Sequence, residues 1–97
     1  MSCQVIFEMK VKHGCFEKLR SFLIDKLPGT RGYPGNICVE VVREQHDPGT
    51  ILFMEKWASR EAFEAYLASR TEEGTLSELA DYIEGAVRFR YYDAIGV

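Results

Sequence analysis

The sequence predicts an α+β domain whose elements follow the order β-α-β-β-α-β. Residues 3–11 and 86–93 alternate apolar and mostly polar positions with a period of two, which is typical of strands that bury one face. Two other stretches repeat apolar residues every three or four positions, as amphipathic helices do. With 97 residues and a hydrophobic content of 46%, we expect one folded domain over residues 1–97.

The first half of the chain supplies a strand, a helix and a second strand. After the strand at 3–11, a helical stripe runs over residues 15–27, and we expect Pro28-Gly29 to end this helix. Residues 28–36 are rich in Gly and Pro, which predicts a surface loop. The β-branched residues of 37–44 then predict a second strand.

The second half supplies a hairpin partner, more helix and a last strand. The turn at 46–49 leads into a third strand at 51–58, and Ser59 is placed to cap the next helix. A further helical segment is expected over 75–84 and a fourth strand over 86–93. The inward stripes of the helical segments would comprise Ala62, Phe63, Tyr66, Leu67, Leu76, Leu79, Ala80 and Ile83.

This element order is that of the ferredoxin-like fold, a four-stranded antiparallel sheet with both helices on one face. The opposite sheet face is left uncovered, although it also carries apolar residues. Such a face favours an interface. We therefore expect a homodimer in which two sheets pack face to face about a two-fold axis. The apolar residues of the uncovered face are Ile6, Cys38, Val42, Leu52 and Met54.

Composition narrows the range of partners and compartments. The net charge of -3 and the scattered Lys and Arg residues offer no basic patch, so nucleic acid is not an expected partner. No apolar run approaches the roughly 20 residues that cross a bilayer, and the N-terminus lacks the features of a signal peptide. We expect a cytoplasmic protein with no membrane partner. Three cysteines without C-x-x-C spacing predict neither disulfides nor a metal site.

A ligand pocket is predicted between the sheet and the second helix. Phe53, Glu55 and Trp57 share one face of the third strand, and Phe63 and Tyr66 share the inward face of the helix that follows almost at once. We expect Glu55 and Tyr66 to be the catalytic residues of this pocket. Its substrate-binding residues would be Phe7, Phe53, Trp57 and Phe63.

Each polar candidate also has a structural alternative. A carboxylate on an apolar face either shifts its pKa upward, as a base beside a substrate, or pairs with an arginine or a backbone group. Glu55 is open to both interpretations. Trp57 fits plain core packing as well as a pocket wall. Arg88 and Arg90 project from one face of the last strand, where they either hold an anionic ligand or pair with glutamates of neighbouring strands.

Four short segments resemble the antibiotic biosynthesis monooxygenase domain, a family of the dimeric α+β barrel superfamily. The resemblance covers nearly the whole chain and implies a dimeric α/β barrel. Its members include cofactor-independent quinol and anthrone oxygenases and haem-degrading enzymes. The segments are Lys12-His13-Gly14, Thr30 to Gly35, Asp47-Pro48-Gly49 and Glu55 to Ala62.

The chain departs from the best-understood members of that family. The Asn, Trp and His of the haem-degrading members fall on Phe7, Tyr66 and Leu76, so the resemblance does not imply haem. A His that many members carry nine residues after the Trp is also replaced by Tyr66, a poor base near neutral pH but a hydrogen-bond donor. The Asn of anthrone-type oxygenases, four residues before the Trp, falls on Phe53.

Two functions fit the sequence. The first is a cofactor-independent monooxygenase acting on a small aromatic such as a quinol or anthrone, in which the substrate activates oxygen after losing a proton. The second is a non-catalytic dimeric module that binds a small ligand. No cofactor is expected, since the glycines of residues 29–35 precede a strand rather than a helix and do not form a nucleotide-binding loop.

Overall fold

The computed structural model describes residues 2–97 and has the α+β ferredoxin-like fold that the sequence predicts. Its helices lie on one side of an antiparallel sheet. In chain order the elements are β1 (Cys3–Val11), α1 (Phe16–Arg31), β2 (Asn36–Arg43), β3 (Thr50–Trp57), α2 (Arg60–Glu72), α3 (Thr75–Ala80), β4 (Ile83–Glu84) and β5 (Arg90–Tyr92).

The sheet is open and has the strand order β2-β3-β1, with β4 and β5 both on the far side of β1. β4 pairs with the end of β1, where Glu84 lies opposite Lys10. β5 pairs nearer the start of β1, where Tyr91 lies opposite Val5. The two short strands therefore share the place of the single fourth strand that the sequence predicts, so the sheet has five strands rather than four.

The predicted end of the chain needs two corrections. The third helical segment stops at Ala80 instead of residue 84, because the amide of Lys12 donates to the carbonyl of Tyr82 at 2.9 Å and draws Ile83 into the sheet. The last strand is not continuous over 86–93. Gly85 adopts a φ of +69°, in the left-handed region that favours glycine, and pairing with β1 resumes only at Arg90.

The first helix also differs from the prediction, since α1 continues through Pro28 and Gly29 to Arg31. The residues of its last turn are held by tertiary contacts that the sequence pattern does not reveal. Thr30 is only 1% exposed, and the carbonyl of Lys26 accepts a hydrogen bond from the guanidinium of Arg70 at 2.8 Å. These contacts with α2 outweigh the local preference of the Pro-Gly pair to end the helix.

Other local predictions are confirmed. β1 spans the residues expected of the first strand, and the hydroxyl of Ser59 accepts a hydrogen bond from the amide of Ala62 at 3.1 Å at the start of α2. Within residues 2–97, no helix combines the length and apolar character needed to cross a membrane.

The core lies between the helices and the face of the sheet that β1 and β3 turn towards them. Val5 of β1 lies opposite Glu55 of β3, and Phe7 lies opposite Phe53 in the neighbouring inward-facing pair. The two phenylalanine rings stack with centroids 4.6 Å apart. The buried apolar residues of this core are Cys3, Val5, Phe7, Met9, Leu19, Phe22, Ile51, Phe53, Trp57, Phe63 and Ile83.

Candidate functional site

A cavity of about 320 Å³ lies between the sheet and the three helices. Aromatic and aliphatic side chains form most of its wall, as in typical small-molecule sites. Polar side chains are few, and they come from different elements. They are Lys26 and Thr30 of α1, Glu55 of β3, Tyr66 and Arg70 of α2, and Thr75 of α3.

The structure brings five of the six predicted site residues to this cavity. Phe7, Phe53, Glu55, Phe63 and Tyr66 all line it. The two strands supply the first three because alternate residues of adjacent strands face the same side. These five residues therefore lie together at one cavity, and their roles in binding and catalysis stay predictions.

Trp57, the sixth predicted residue, lies behind the wall and does not line the cavity. It is fully buried, and its indole packs against Phe63 and Tyr66 with ring centroids 5.7 and 5.0 Å away. The indole Nε1 donates a hydrogen bond to Oε1 of Glu55 at 2.9 Å. The structure thus places Trp57 as a support for residues that do line the cavity.

Glu55 is the acidic residue of the cavity and is 5% exposed. Burial raises the pKa of its carboxyl group, and the hydrogen bond from Trp57 offsets part of that rise. Within the described residues the carboxyl group has no other side-chain hydrogen bond and no ion pair. Glu55 is therefore not the arginine-paired structural charge that the sequence left open.

Tyr66 belongs to a polar cluster on the helix side of the cavity. Its hydroxyl oxygen lies 2.6 Å from Oγ1 of Thr30 and accepts a hydrogen bond from Nε of Arg70 at 3.2 Å. Nη2 of Arg70 also donates to Thr30 Oγ1 at 3.3 Å. The cluster links α1 and α2 and leaves all three side chains on the cavity wall.

Sequence reasoning missed several residues of the site, and three of them illustrate the reasons. Arg70 follows Tyr66 by four positions and so lies on the same helix face, a signal that was available. Thr30 lies in the segment 28–36 that was predicted to be a loop, and no sequence pattern indicated that it faces the cavity. Phe89 lies before β5, where its ring packs edge-on to Phe7 at 4.8 Å. It falls in the segment 86–93, whose alternation predicted a strand but did not assign Phe89 to the pocket.

The arrangement combines a carboxyl group of raised pKa with hydrogen-bond donors in an apolar enclosure. Such a set can exchange a proton with a bound aromatic molecule and stabilise the charge that results. In the described part of the chain, no three side chains of His, Cys, Asp or Glu converge as a metal site.

Comparisons with solved structures agree with this fold. The protein Rv0793 from Mycobacterium tuberculosis superposes with a TM-score of 0.85 at 16% identity, covering 100% of this chain and 98% of that one. SnoaB, a cofactor-independent oxygenase from Streptomyces nogalater, gives a TM-score of 0.84 at 16% identity, covering 99% and 95%. The protein SO0527 from Shewanella oneidensis superposes with a TM-score of 0.79 at 22% identity, covering 94% of this chain and 88% of that one.

These identities establish a shared fold and nothing finer. No protein of curated function matches the chain in sequence. A family model for antibiotic biosynthesis monooxygenases does match it, over residues 3–85. That match includes β1, β3, the three helices and every cavity residue discussed above except Phe89. The chain therefore belongs to the antibiotic biosynthesis monooxygenase family.

Proposed function

We propose that the protein is a cofactor-independent monooxygenase that oxidises a small electron-rich aromatic molecule, such as a quinol or an anthrone. The observation that carries this proposal is the buried Glu55, which faces an aromatic cavity and forms no ion pair with any described residue, and whose pKa is raised by burial. Membership of the family and the likeness to SnoaB, itself described as a cofactor-independent oxygenase, support the same reaction class.

The chemistry requires little of the protein. The ionised carboxyl group of Glu55 takes a proton from the phenol or the acidic C–H of the substrate. The electron-rich anion then transfers an electron to O₂, and the two radicals combine to form a peroxide anion on the ring carbon, which takes the proton back from Glu55. Loss of water from that peroxide leaves one oxygen atom on the product as a carbonyl group. One O₂ is consumed and one water is released for each substrate molecule.

The cavity suits this reaction in shape and polarity. Its volume of about 320 Å³ falls at the small end of ligand sites, which range from roughly 300 to 1,000 Å³. Phe7 and Phe53 stack on one side, and Phe63 and Phe89 pack edge-on with centroids 5.4 Å apart. Flat aromatic ligands fit such walls, and a ligand that fills the cavity would exclude water and strengthen the electrostatic effect of Glu55.

The active form under this proposal is a homodimer built on the uncovered sheet face. Ile6 and Met54 lie at the centre of that face and Val42 is 41% exposed near its β2 edge. Arg90, Ile6, Met54 and Glu40 form one row across the strands. A two-fold axis parallel to the strands would place Arg90 of one copy over Glu40 of the second, which favours this geometry.

Oxygen consumption tests the reaction. Purified protein is incubated in air with quinols, anthrones and naphthols while dissolved O₂ is recorded. We expect uptake with at least one compound, and loss of that uptake in Glu55→Gln, which keeps the shape of the side chain and removes the base. Glu72→Gln, at an exposed position of α2 away from the cavity, serves as the matched control and should retain full uptake.

The non-catalytic ligand-binding module is the alternative outcome of the same experiment. It would be favoured if aromatic compounds bind with no oxygen uptake. Uptake that survives unchanged in Glu55→Gln would instead remove Glu55 from the mechanism. The replacement of the family's helix histidine by Tyr66 is the observation behind this alternative, because it removes a second acid or base from the cavity.

A further inference from the structure

The Thr30, Tyr66 and Arg70 cluster holds an unsatisfied hydrogen-bond donor against the cavity. A guanidinium group only donates hydrogen bonds, so the oxygens of both hydroxyl groups accept from Arg70. The same two oxygens lie 2.6 Å apart, which places one hydroxyl hydrogen between them. Two hydroxyl groups carry two hydrogens. The second hydrogen makes no hydrogen bond to any described residue.

The cluster is also cationic and largely shielded from solvent. Thr30 is 1% exposed and the side chain of Arg70 is 12% exposed. The partner of Arg70, Glu73, lies on the solvent side at 3.3 Å with half of its side chain exposed. Its influence on the cavity is therefore screened. Arg70 forms no ion pair with Glu55, although both line the cavity.

Gly29 shows that the chain makes room for this cation. A Cβ atom at Gly29 would lie 2.9 Å from Nη2 of Arg70, too close for an unperturbed contact. Glycine is unfavourable inside a helix, and here it also follows Pro28. The absence of a side chain at this position allows the guanidinium to lie against α1 and reach Thr30 and the carbonyl of Lys26.

We propose that Thr30, Tyr66 and Arg70 form a subsite for an anionic oxygen of an aromatic ligand, of the phenolate or enolate class. The free hydroxyl hydrogen donates to that oxygen, and Arg70 supplies the charge and fixes the orientation of both hydroxyl groups. The inference rests on the proposed function for its role in turnover. In that reaction the subsite stabilises the negative charge that appears on the ligand when Glu55 removes a proton.

Binding of 4-nitrophenol tests the subsite without any turnover. Its phenolate form is coloured, and nitrobenzene is a control of similar shape without the acidic oxygen. Dissociation constants are measured by absorbance titration and calorimetry, at pH values above and below the ionisation of the probe. We expect the wild type to bind the phenolate about tenfold or more tightly than nitrobenzene, as a charge-assisted hydrogen bond would give.

Three substitutions locate that preference. Thr30→Val/Tyr66→Phe removes both hydroxyl groups with little change of shape, and Arg70→Gln removes the charge. Either single hydroxyl variant leaves one hydroxyl hydrogen without a protein acceptor and should keep most of the preference. The double variant and Arg70→Gln should each reduce the preference for the phenolate about tenfold while leaving nitrobenzene binding within twofold. Thr30→Ser/Tyr66→Phe restores one hydroxyl group and should restore most of the preference. Arg60→Gln, an exposed arginine of α2 that does not line the cavity, is the control for charge removal and should bind like the wild type.

The outcomes separate this inference from the proposed function. Equal binding of 4-nitrophenolate and nitrobenzene by the wild type, or an unchanged preference in Thr30→Val/Tyr66→Phe, overturns the subsite. If Arg70→Gln fails to fold, Thr30→Val/Tyr66→Phe decides, because valine and phenylalanine nearly keep the volumes of the two side chains. A phenolate preference that these variants abolish confirms the subsite, even if no compound supports oxygen uptake and the proposed reaction fails.

Discussion

Nε1 of Trp57 lies 2.9 Å from Oε1 of Glu55, and the resulting hydrogen bond joins two buried side chains on the same face of β3. Residues two apart on a strand point the same way, so the strand itself brings the two groups together. Burial favours the neutral carboxyl group, whereas the indole N–H favours the carboxylate. The proton affinity of Glu55 is set by the competition between these two effects.

Glu55→Gln should stabilise the protein at neutral and higher pH. The pKa of Glu55 is raised above its ordinary value of 4.5, so wild-type stability is highest below that value and falls as pH rises through the folded-state pKa. Glutamine cannot ionise and keeps an oxygen for the indole N–H. The melting temperatures of variant and wild type should agree near pH 4 and diverge above it. A change of 1 kcal/mol in the free energy of unfolding shifts the melting temperature by about 4–8 °C in a domain of this size.

Glu72→Gln provides the control for that measurement. The carboxyl group of Glu72 is exposed, so the melting temperature of Glu72→Gln should follow that of the wild type across the same pH range. A fall in the melting temperature of Glu55→Gln at pH 8 would mean that the carboxylate is a stabilising structural charge, and would remove the main support for its role as a base.

Trp57→Phe should raise the pKa of Glu55 further. The variant removes the hydrogen bond that favours the carboxylate and leaves burial in place. Carbon-13 NMR of labelled glutamate reports the titration directly, with Glu55→Gln identifying the resonance. The loss of packing around a fully buried indole should also cost about 1–3 kcal/mol, less than truncation to alanine.

Phe63→Leu separates packing from hydrogen bonding in that experiment. Phe63 packs against the Trp57 ring, so its truncation loosens the core and leaves the indole N–H in place. We expect reduced stability with no upward shift in the titration of Glu55. Equal upward shifts in both variants would show that the hydrogen bond does not control the pKa.

Gly29→Ala should destabilise the protein although alanine is the better helix former. The new methyl group would displace the guanidinium of Arg70 and break its hydrogen bonds to Thr30 and the Lys26 carbonyl. We expect a loss of about 1–2 kcal/mol in the free energy of unfolding, measured by urea denaturation.

A double-mutant cycle tests the cause of that loss. With Arg70→Ala already present, Gly29→Ala no longer displaces a side chain and should stabilise α1 by roughly 0.5–1 kcal/mol. The sign of the effect at residue 29 therefore reverses with the identity of residue 70. The same sign in both backgrounds would place the strain of Gly29→Ala elsewhere in the helix.

Assembly through the uncovered sheet face predicts a mass near twice 11.1 kDa by light scattering at micromolar concentration. Met54→Asp or Val42→Asp would bury a carboxylate without a partner at the interface and should give monomers or unfolded protein. A monomeric wild type, or dimers in both variants, would exclude this face as the interface.

The orientation of the proposed dimer has a separate test. Arg90→Glu and Glu40→Arg should each weaken the dimer, because each would oppose two like charges across the axis. The double variant exchanges the two charges and should restore most of the affinity, measured by sedimentation. Additive weakening in the double variant would show that the two residues do not meet across the interface.

Local pattern predicted much of this molecule. The alternation in β1, the shared face of Phe53 and Glu55, and the cap at Ser59 all follow from short-range geometry, and the structure has each of them. Tertiary contacts determined the rest. α1 passes through Pro28 because Arg70, some 40 residues away, binds the last turn. No periodicity in the sequence reports a contact at that separation.

The break between β4 and β5 leaves one wall of the cavity that can be displaced at a lower cost in free energy than the other walls. Residues 85–87 and Phe89 line the cavity, yet this stretch forms no ladder with β1. Displacing it costs side-chain contacts but no paired backbone hydrogen bonds, whereas every other wall belongs to a helix or to a paired strand. Ala86 also borders the groove on the opposite sheet face. Displacement of this stretch would open the cavity at the edge of the sheet, and a second chain bound to the opposite face would contact the same stretch at Ala86.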